Sequence, residues 1–475
     1  MIIWKIINHC YNKIMRQILK TTAILCCGAA LSVSAAAFPG LGFTAGTVQE
    51  EQEAADSAVL YFTLDEAMSY ALEHNWDLQN SSLAVRQAEA DRWGAIATML
   101  PQVNGTLDYS NYMGYEMEFG ETGLAIAMPP YGSIGVNAAM SVSGAQIISA
   151  LIGKLSIEMA DVSHRQSQQE VAEQVRLLYF SALVSTQTVE LLRRNLGTVR
   201  KLHEFSQKSV DAGVAEQVDA DQILVQVATL ESSINEAERG LEMIYNSMRL
   251  QMNVGFDKEI VLTQTLDELM DVEHSLDLLY DDFILENNFS YQLALQSTEL
   301  YKKQKNLAGW AYGPTLSAFY QYTGRKYFSD EMTMNMTPPN MVGLTLSIPI
   351  FSSGRNYTSF QKAKLDYQKQ LNTLENTKMA LNIQHRQLKY NLSSAYERYQ
   401  TQVKNVEVSQ AVFDNIGKKY EFGHASSLDV TNAATTLITA QSTYVQAALD
   451  YVTAQIELEK LLNKNTYGQS TKEQK

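Results

Sequence analysis

Val342-Gly343-Leu344-Thr345-Leu346-Ser347-Ile348-Pro349-Ile350 places an apolar side chain at every even position, with glycine, a hydroxyl residue or proline between. Successive side chains of a strand point to opposite faces, so this period of two predicts a β-strand with one apolar face. The same alternation occurs three more times. Ile134, Val136, Ala138, Met140 and Val142 alternate with small or polar residues. Val103, Gly105, Leu107 and Tyr109 alternate with Gln102, Asn104, Thr106, Asp108 and Ser110. Leu316, Ala318, Tyr320 and Tyr322 alternate with Thr315, Ser317, Gln321 and Thr323.

Two environments give such faces: an antiparallel sheet over a soluble core, and a transmembrane β-barrel with lipid outside and water inside. Tyrosines at 109, 112, 115, 131, 312, 320, 322 and 327 lie at or near the strand ends, where a barrel carries its interfacial girdle. That favours the barrel, with Val103, Leu107, Tyr109, Val136, Met140, Leu316, Tyr320, Leu344, Leu346 and Ile348 on its lipid face. Four strands cannot close a barrel, and eight enclose no open lumen. Several chains must therefore build one pore.

The start of the chain agrees with export. Arg16 and Lys20 precede an apolar stretch, Ala23 to Val33, that ends in Ser34-Ala35-Ala36-Ala37, the layout of a secretory signal peptide over 1–37 with Met15 as a possible true start. The apolar run is too short to span a bilayer as a helix, which needs about 20 residues. Leu25 before Cys26 argues against a lipoprotein. All three cysteines lie in this segment, so cleavage leaves no thiol. The chain carries a net charge of -15, and losing 1–37 removes four basic residues and no acid, leaving -19. Such acidity excludes a protein that grips nucleic-acid phosphates, and it favours cations in any pore that its carboxylates line.

The 475 residues contain only 8 prolines and 25 glycines, which predicts long uninterrupted elements, and 45% hydrophobic residues suffice for packing. The prolines cluster at 101, 129 and 130 and again at 314, 338, 339 and 349. Glu73-His74-Asn75-Trp76 matches Glu286-Asn287-Asn288-Phe289, and Leu100-Pro101-Gln102 matches Gly313-Pro314-Thr315. Gly144, Gly213, Asp219 and Asn253 match Gly354, Gly423, Asp429 and Asn463. The chain thus reads as an internal duplication. A linker (38–59) leads to a first repeat (60–253), an inter-repeat segment (254–274), a second repeat (275–464) and a polar tail (465–475).

Each repeat is expected to open with a helix. In the first, Thr63-Leu64-Asp65-Glu66 has the form of a capping box and the helical pattern runs to Leu100. Each repeat closes with a long helical arm. Gln146 to Gly213 has no proline and measures about 100 Å as a helix. Val171, Leu178, Ser185, Leu192, Val199 and Ser206 form one heptad column, and Val175, Ala182, Val189, Leu196, His203 and Val210 the other, as in a coiled coil. Matching columns run from Leu381 and His385 to Ile416 and Tyr420. Both arms reverse near a glycine, so each is a long hairpin with a tip at Gly213-Val214 or Gly423-His424.

These residues resemble the TolC-type outer-membrane efflux proteins over nearly the whole mature chain. The resemblance is carried by Leu64-Asp65-Glu66-Ala67 with Ala71-Leu72 and Asn75, by Leu100-Pro101, and by Leu344 to Phe351 before Gly354. It is carried further by Ala212-Gly213-Val214 with Val218-Asp219, and by Phe422-Gly423-His424 with Leu428-Asp429-Val430. It implies an α+β membrane protein: a homotrimer whose 12-stranded β-barrel, four strands per chain, continues into a periplasmic α-helical coiled-coil barrel. Outer-membrane lipid, a periplasmic adaptor and an inner-membrane pump of unstated class are the implied partners. Asp219, Tyr420 and Asp429 match residue types of the family's periplasmic gate. Ala425 stands where well-known members have arginine, and Asn432 where they have an acid. An exported structural coiled coil or adhesin is the alternative, which accounts for the heptads but not for the strands.

No cofactor and no catalytic set is expected. Met332, Met334 and Met336 resemble a soft-ligand array for Cu(I) or Ag(I), but sit in an expected exterior loop and read as loop packing. His74, His164, His203, His274, His385 and His424 lack metal-ligand spacing, and neither a nucleophile elbow nor a phosphate-binding glycine loop stands in a fitting context.

Overall fold

A computed structural model describes residues 59–119, 124–269, 272–328 and 338–464. The signal segment, nearly all of the linker, Met332 to Met336 and the polar tail lie outside the described residues. In chain order the elements are β1 (Val59–Phe62), α1 (Leu64–His74), α2 (Trp76–Ala97), β2 (Gln102–Ser110), β3 (Glu116–Phe119), β4 (Leu124–Ala127), β5 (Tyr131–Ser143), α3 (Gly144–Asp211) and α4 (Gln217–Met252). There follow β6 (Glu259–Leu262), α5 (Leu266–Leu269), α6 (Val272–Asp277), α7 (Phe289–Gly309), β7 (Thr315–Tyr327), β8 (Asn340–Ser347), α8 (Arg355–Glu421) and α9 (Ser427–Leu462).

The first helix starts as its capping box requires. The Thr63 hydroxyl accepts from the Glu66 N–H, and the Glu66 carboxylate accepts from the Thr63 N–H at 2.9 Å. It does not run on to Leu100. Asn75 breaks it, because its side chain accepts from the N–H groups of Asp77 and Leu78 and so caps a new helix, while its extended backbone ends the old one. Nor does the first half open with a helix: β1 precedes α1 and pairs in parallel with β6, from the segment between the halves.

The four expected strands form one antiparallel sheet in the order β2-β5-β7-β8, so the strands of the two halves meet at its centre. β8 stops at Ser347, short of Ile350, since Pro349 has no N–H to give a ladder. The stretch between β2 and β5 holds the small hairpin β3-β4. Phe319 lies flat across Gly343 in the neighbouring strand, where an added Cβ would sit 2.5 Å from the ring. That row needs glycine.

Helices α3 and α8, of 68 and 67 residues, each return through a 36-residue partner, α4 and α9. In each half the order is helix, two sheet strands, long helix, shorter helix. Every residue of the first heptad columns is buried or half-buried, and Val175, Ala182 and Val199 are fully so. Leu192, Leu196, Val199, Leu202, Ile223, Leu230, Phe413, Val430 and Leu437 form one core that joins the two hairpins. Each such apolar side chain contributes about 1.5–3 kcal/mol on burial. Helix α3 packs on α4 and on α9, and α9 packs on α8, so both hairpins form one bundle.

Candidate functional site: strand faces and hairpin tips

The sheet register decides which side chains share a face. Val103 stands opposite Ala138, which stands opposite Tyr320, which stands opposite Val342. Met140 aligns with Ala318 and Leu344, and Val142 with Leu316 and Leu346. Leu107, Tyr109 and Val136 fall on this face by the same pairing. Nine of the ten residues expected to meet lipid therefore lie together within the strands. Ile348, the tenth, lies one residue beyond the end of β8, where Pro349 interrupts pairing.

Nothing among the described residues covers this face: Leu107 and Leu344 are each 77% exposed. The opposite face carries Asn104, Thr106, Ser133, Asn137, Ser141, Ser317, Gln321, Thr323 and Thr345, with few large apolar residues. An uncovered apolar sheet face of this extent marks a surface made for lipid or a partner. The outer edges of β2 and β8 have no neighbouring strand among the described residues. No helix among the described residues is long and apolar enough to cross a membrane.

At the other end both hairpins turn alike. Gly213 and Gly423 adopt φ of +75° and +73°, conformations natural to glycine. The Val214 N–H bonds to the Ser209 carbonyl at 2.9 Å and the Gly213 N–H to that of Val210 at 2.8 Å. His424 to Lys419, at 2.7 Å, and Gly423 to Tyr420, at 3.0 Å, repeat the motif, which satisfies the terminal carbonyls of each long helix.

Near these turns the structure places each candidate gate residue against a serine. The Tyr420 hydroxyl donates to Ser206 Oγ at 2.8 Å, and its ring meets Phe205 edge-on at 6.0 Å. Its partner is thus a hydroxyl of the other hairpin. Asp219 Oδ1 accepts from Ser427 Oγ at 2.6 Å, again across the two hairpins, with Gln222 Oε1 2.9 Å from the same hydroxyl. One hydroxyl has one proton, and the shorter, charge-assisted bond to Asp219 takes it. Asp429 stays within its own hairpin, capping α9 through Ser426 at 2.9 Å (backbone) and 2.7 Å (side chain). The backbone N–H and then the hydroxyl of Ser426 hold its carboxyl below the usual value. Val214 and His424 lie in the turns.

Ser206 and Ser427 were missed as site residues. Ser206 did leave a trace, as a polar residue in an apolar heptad column, fully buried in the fold. Such a residue needs a hydrogen-bond partner and so announces a tie. Ser427 lies outside the columns. Among the described residues no group of three or more His, Cys, Asp and Glu could hold a metal ion.

A bare apolar sheet face at one end and paired helical hairpins at the other are the make-up of a membrane-anchored protein with a long helical extension. The outer membrane efflux protein model matches residues 67–253 and 282–464, and the chain belongs to that family. That family is one of outer membrane proteins. Alkaline protease secretion protein AprF of Pseudomonas aeruginosa is 23% identical over 302 residues, an alignment that spans only 62% of each protein. The Campylobacter jejuni CmeC outer membrane channel shares the fold with a TM-score of 0.71 at 15% identity, covering 84% of this chain and 85% of that one. The Neisseria gonorrhoeae MtrE outer membrane channel in its open state gives 0.68 at 17%, covering 84% and 88%.

Proposed function

We propose that three copies of this chain join their sheets, β8 of one beside β2 of the next, into a 12-stranded barrel, and their hairpins into a periplasmic helical tunnel. The observation that carries this is the four-stranded sheet with two open edges and one bare apolar face. Closing a ring removes both edges, and lipid covers the apolar face. The two halves are copies of one unit, which accounts for their common order of elements and for the matched turns at Gly213 and Gly423. The hairpin tips receive a periplasmic adaptor and, through it, an inner-membrane pump, and Asp219, Tyr420 and Asp429 belong to the gate there.

Efflux of small solutes is the first reading of the cargo, after the family. Export of a protein is the second, favoured by the likeness to AprF. Native mass spectrometry of the protein extracted from outer membranes tests the assembly, with a detergent-stable trimer expected. A monomer that stays soluble without detergent overturns it. Planar-bilayer conductance then separates a channel from a passive coiled coil or adhesin.

A further inference from the structure

On the polar face of the four-stranded sheet only two residues carry charge, Asp108 and Arg325. The register puts them in one row: Asp108 opposite Ser133, and Ser133 opposite Arg325. Two strand spacings separate their backbones, about 9.6 Å. The row lies two residues from the end of β2, at the end of the sheet away from the helices. The rest of the polar face is neutral.

The two charges do not neutralise each other by contact, and neither makes an ion pair among the described residues. Arg325 is held in place instead by tyrosines. Its guanidinium carbon lies 4.4 Å from the centre of the Tyr131 ring, and Nη1 reaches the Tyr327 hydroxyl at 3.4 Å. Tyr131 packs on Tyr327 at 5.8 Å, so the platform is itself supported. Its Nε is buried without a hydrogen-bond partner. Lys326, next in sequence, falls on the apolar face and does not share the row.

We propose that Asp108 and Arg325 form a charge-balanced filter in the outer half of the barrel lumen, one that admits zwitterionic and dipolar solutes and gives the barrel no preference of sign. This rests on the reading of the polar face as the lumen. With β8 beside the next chain's β2, each Arg325 is again two strands from an Asp108. Opposite charges then alternate on every second strand around the ring. Three positive and three negative groups cancel at a distance but act on any solute that passes between them. Any cation preference of the whole pore then arises in the helical tunnel, where the acidic excess of the chain resides.

The test uses Ser133→Cys, between the two charges, in a mature chain that has no other cysteine. Intact cells at about 10 mM ionic strength, where screening extends over about 30 Å, are treated from outside with a cationic or an anionic methanethiosulfonate. The readout is the ratio of the two labelling rates. Asp108→Asn should shift the ratio toward the anionic reagent by about four- to sixfold, since one unit charge at about 8 Å in water changes each reagent's rate about twofold or slightly more, in opposite directions. Arg325→Gln should shift it as far toward the cationic reagent. The double variant and Arg325→Lys should return it to the starting value.

Labelling of Ser133→Cys at the same ratio in all backgrounds overturns the filter and leaves the lumen standing. No labelling of Ser133→Cys, or labelling of Ile134→Cys on the other face in its place, overturns the lumen assignment itself. Immunoblots of outer membranes show that each variant is present before rates are compared.

Discussion

Asn253 and Asn463 end their helices in one conformation, φ 55°, ψ 44° and φ 51°, ψ 40°, and each sends its side-chain amide to a carbonyl just before another helix. Asn253 Nδ2 donates to the His74 carbonyl at 3.2 Å and Asn463 Nδ2 to that of Asn287 at 2.8 Å. The helices that follow are capped by Asn75 and Asn288, whose amides return to the carbonyls of Gln251 and Leu461. Each half thus fastens the end of its shorter arm to the start of the helix that precedes its sheet strands, α2 or α7, by reciprocal asparagines. Left-handed backbone costs most residues about 1–2 kcal/mol, and asparagine tolerates it because its short side chain bonds locally.

Asn253→Ala should therefore destabilise the fold by about 1–3 kcal/mol, combining backbone strain with the loss of the His74 bond and of the Trp76 indole's acceptor at 2.8 Å. Asn253→Gly keeps the conformation and should lose less. Helical circular dichroism through a denaturant titration in detergent measures both. Equal losses in the two variants would mean that the backbone conformation contributes nothing.

The sheet faces can be set against each other. Leu344→Lys puts a charge on the apolar face and should cost about 2–4 kcal/mol if that position is near the bilayer midplane. Thr345→Lys, on the polar face one residue away, should cost little. Yield of heat-resistant trimer from outer membranes reads the difference. The reverse order would mean that the lipid face has been assigned to the wrong side.

His385 stacks on Phe283 at 5.1 Å, with Nε2 buried and without a partner. Burial first, then the charges of Lys389 and Arg386, push its pKa below the ordinary value of 6.5, against a smaller opposing effect of Asp282. The unfolded chain then holds more protons than the folded one between these two values. Stability from this group is present above about pH 6.5 and declines as pH falls through the window toward the folded value. His385→Phe should flatten the fall in melting temperature between pH 7 and pH 5. The same fall in variant and parent would assign the acid sensitivity elsewhere.

Much of this architecture was legible because its signals are long. Ten-residue alternations and heptad columns repeated six times leave little room for a second pattern, and a glycine that must turn a hairpin appears where the periodicity stops. What the sequence hid depends on contacts far apart in the chain. The break at Asn75 interrupts no helical periodicity, and it exists because Gln251 offers a carbonyl to the Asn75 amide. β1 and β6 are four residues each and form a sheet only by meeting one another across the first half. The tip ties were half legible: the acids and the tyrosine stand at recognisable offsets from the glycines, but the serine partners of Tyr420 and Asp219 come from the opposite hairpin.

Those partners make the final prediction specific. Tyr420 to Ser206 and Ser427 to Asp219 each join one hairpin of a chain to the other, close to Gly213 and Gly423. A neutral hydroxyl bond contributes about 0.5–1.5 kcal/mol net, and one to a carboxylate about 1.5–3. In a trimer each tie occurs three times, so even the low end shifts a closed-to-open equilibrium strongly. Ala425 offers no cation to add a further tie. Tyr420→Phe removes the first hydroxyl with the ring and its Phe205 contact kept, and Asp219→Ala removes the second acceptor. Asp429, engaged by Ser426 in its own cap, is left alone because its loss would weaken α9 rather than part the hairpins. The double variant should raise single-channel conductance in planar bilayers while native mass spectrometry still finds the trimer. Unchanged conductance from intact trimers would mean that the hairpins are held by their apolar core alone, or that the tip is already open.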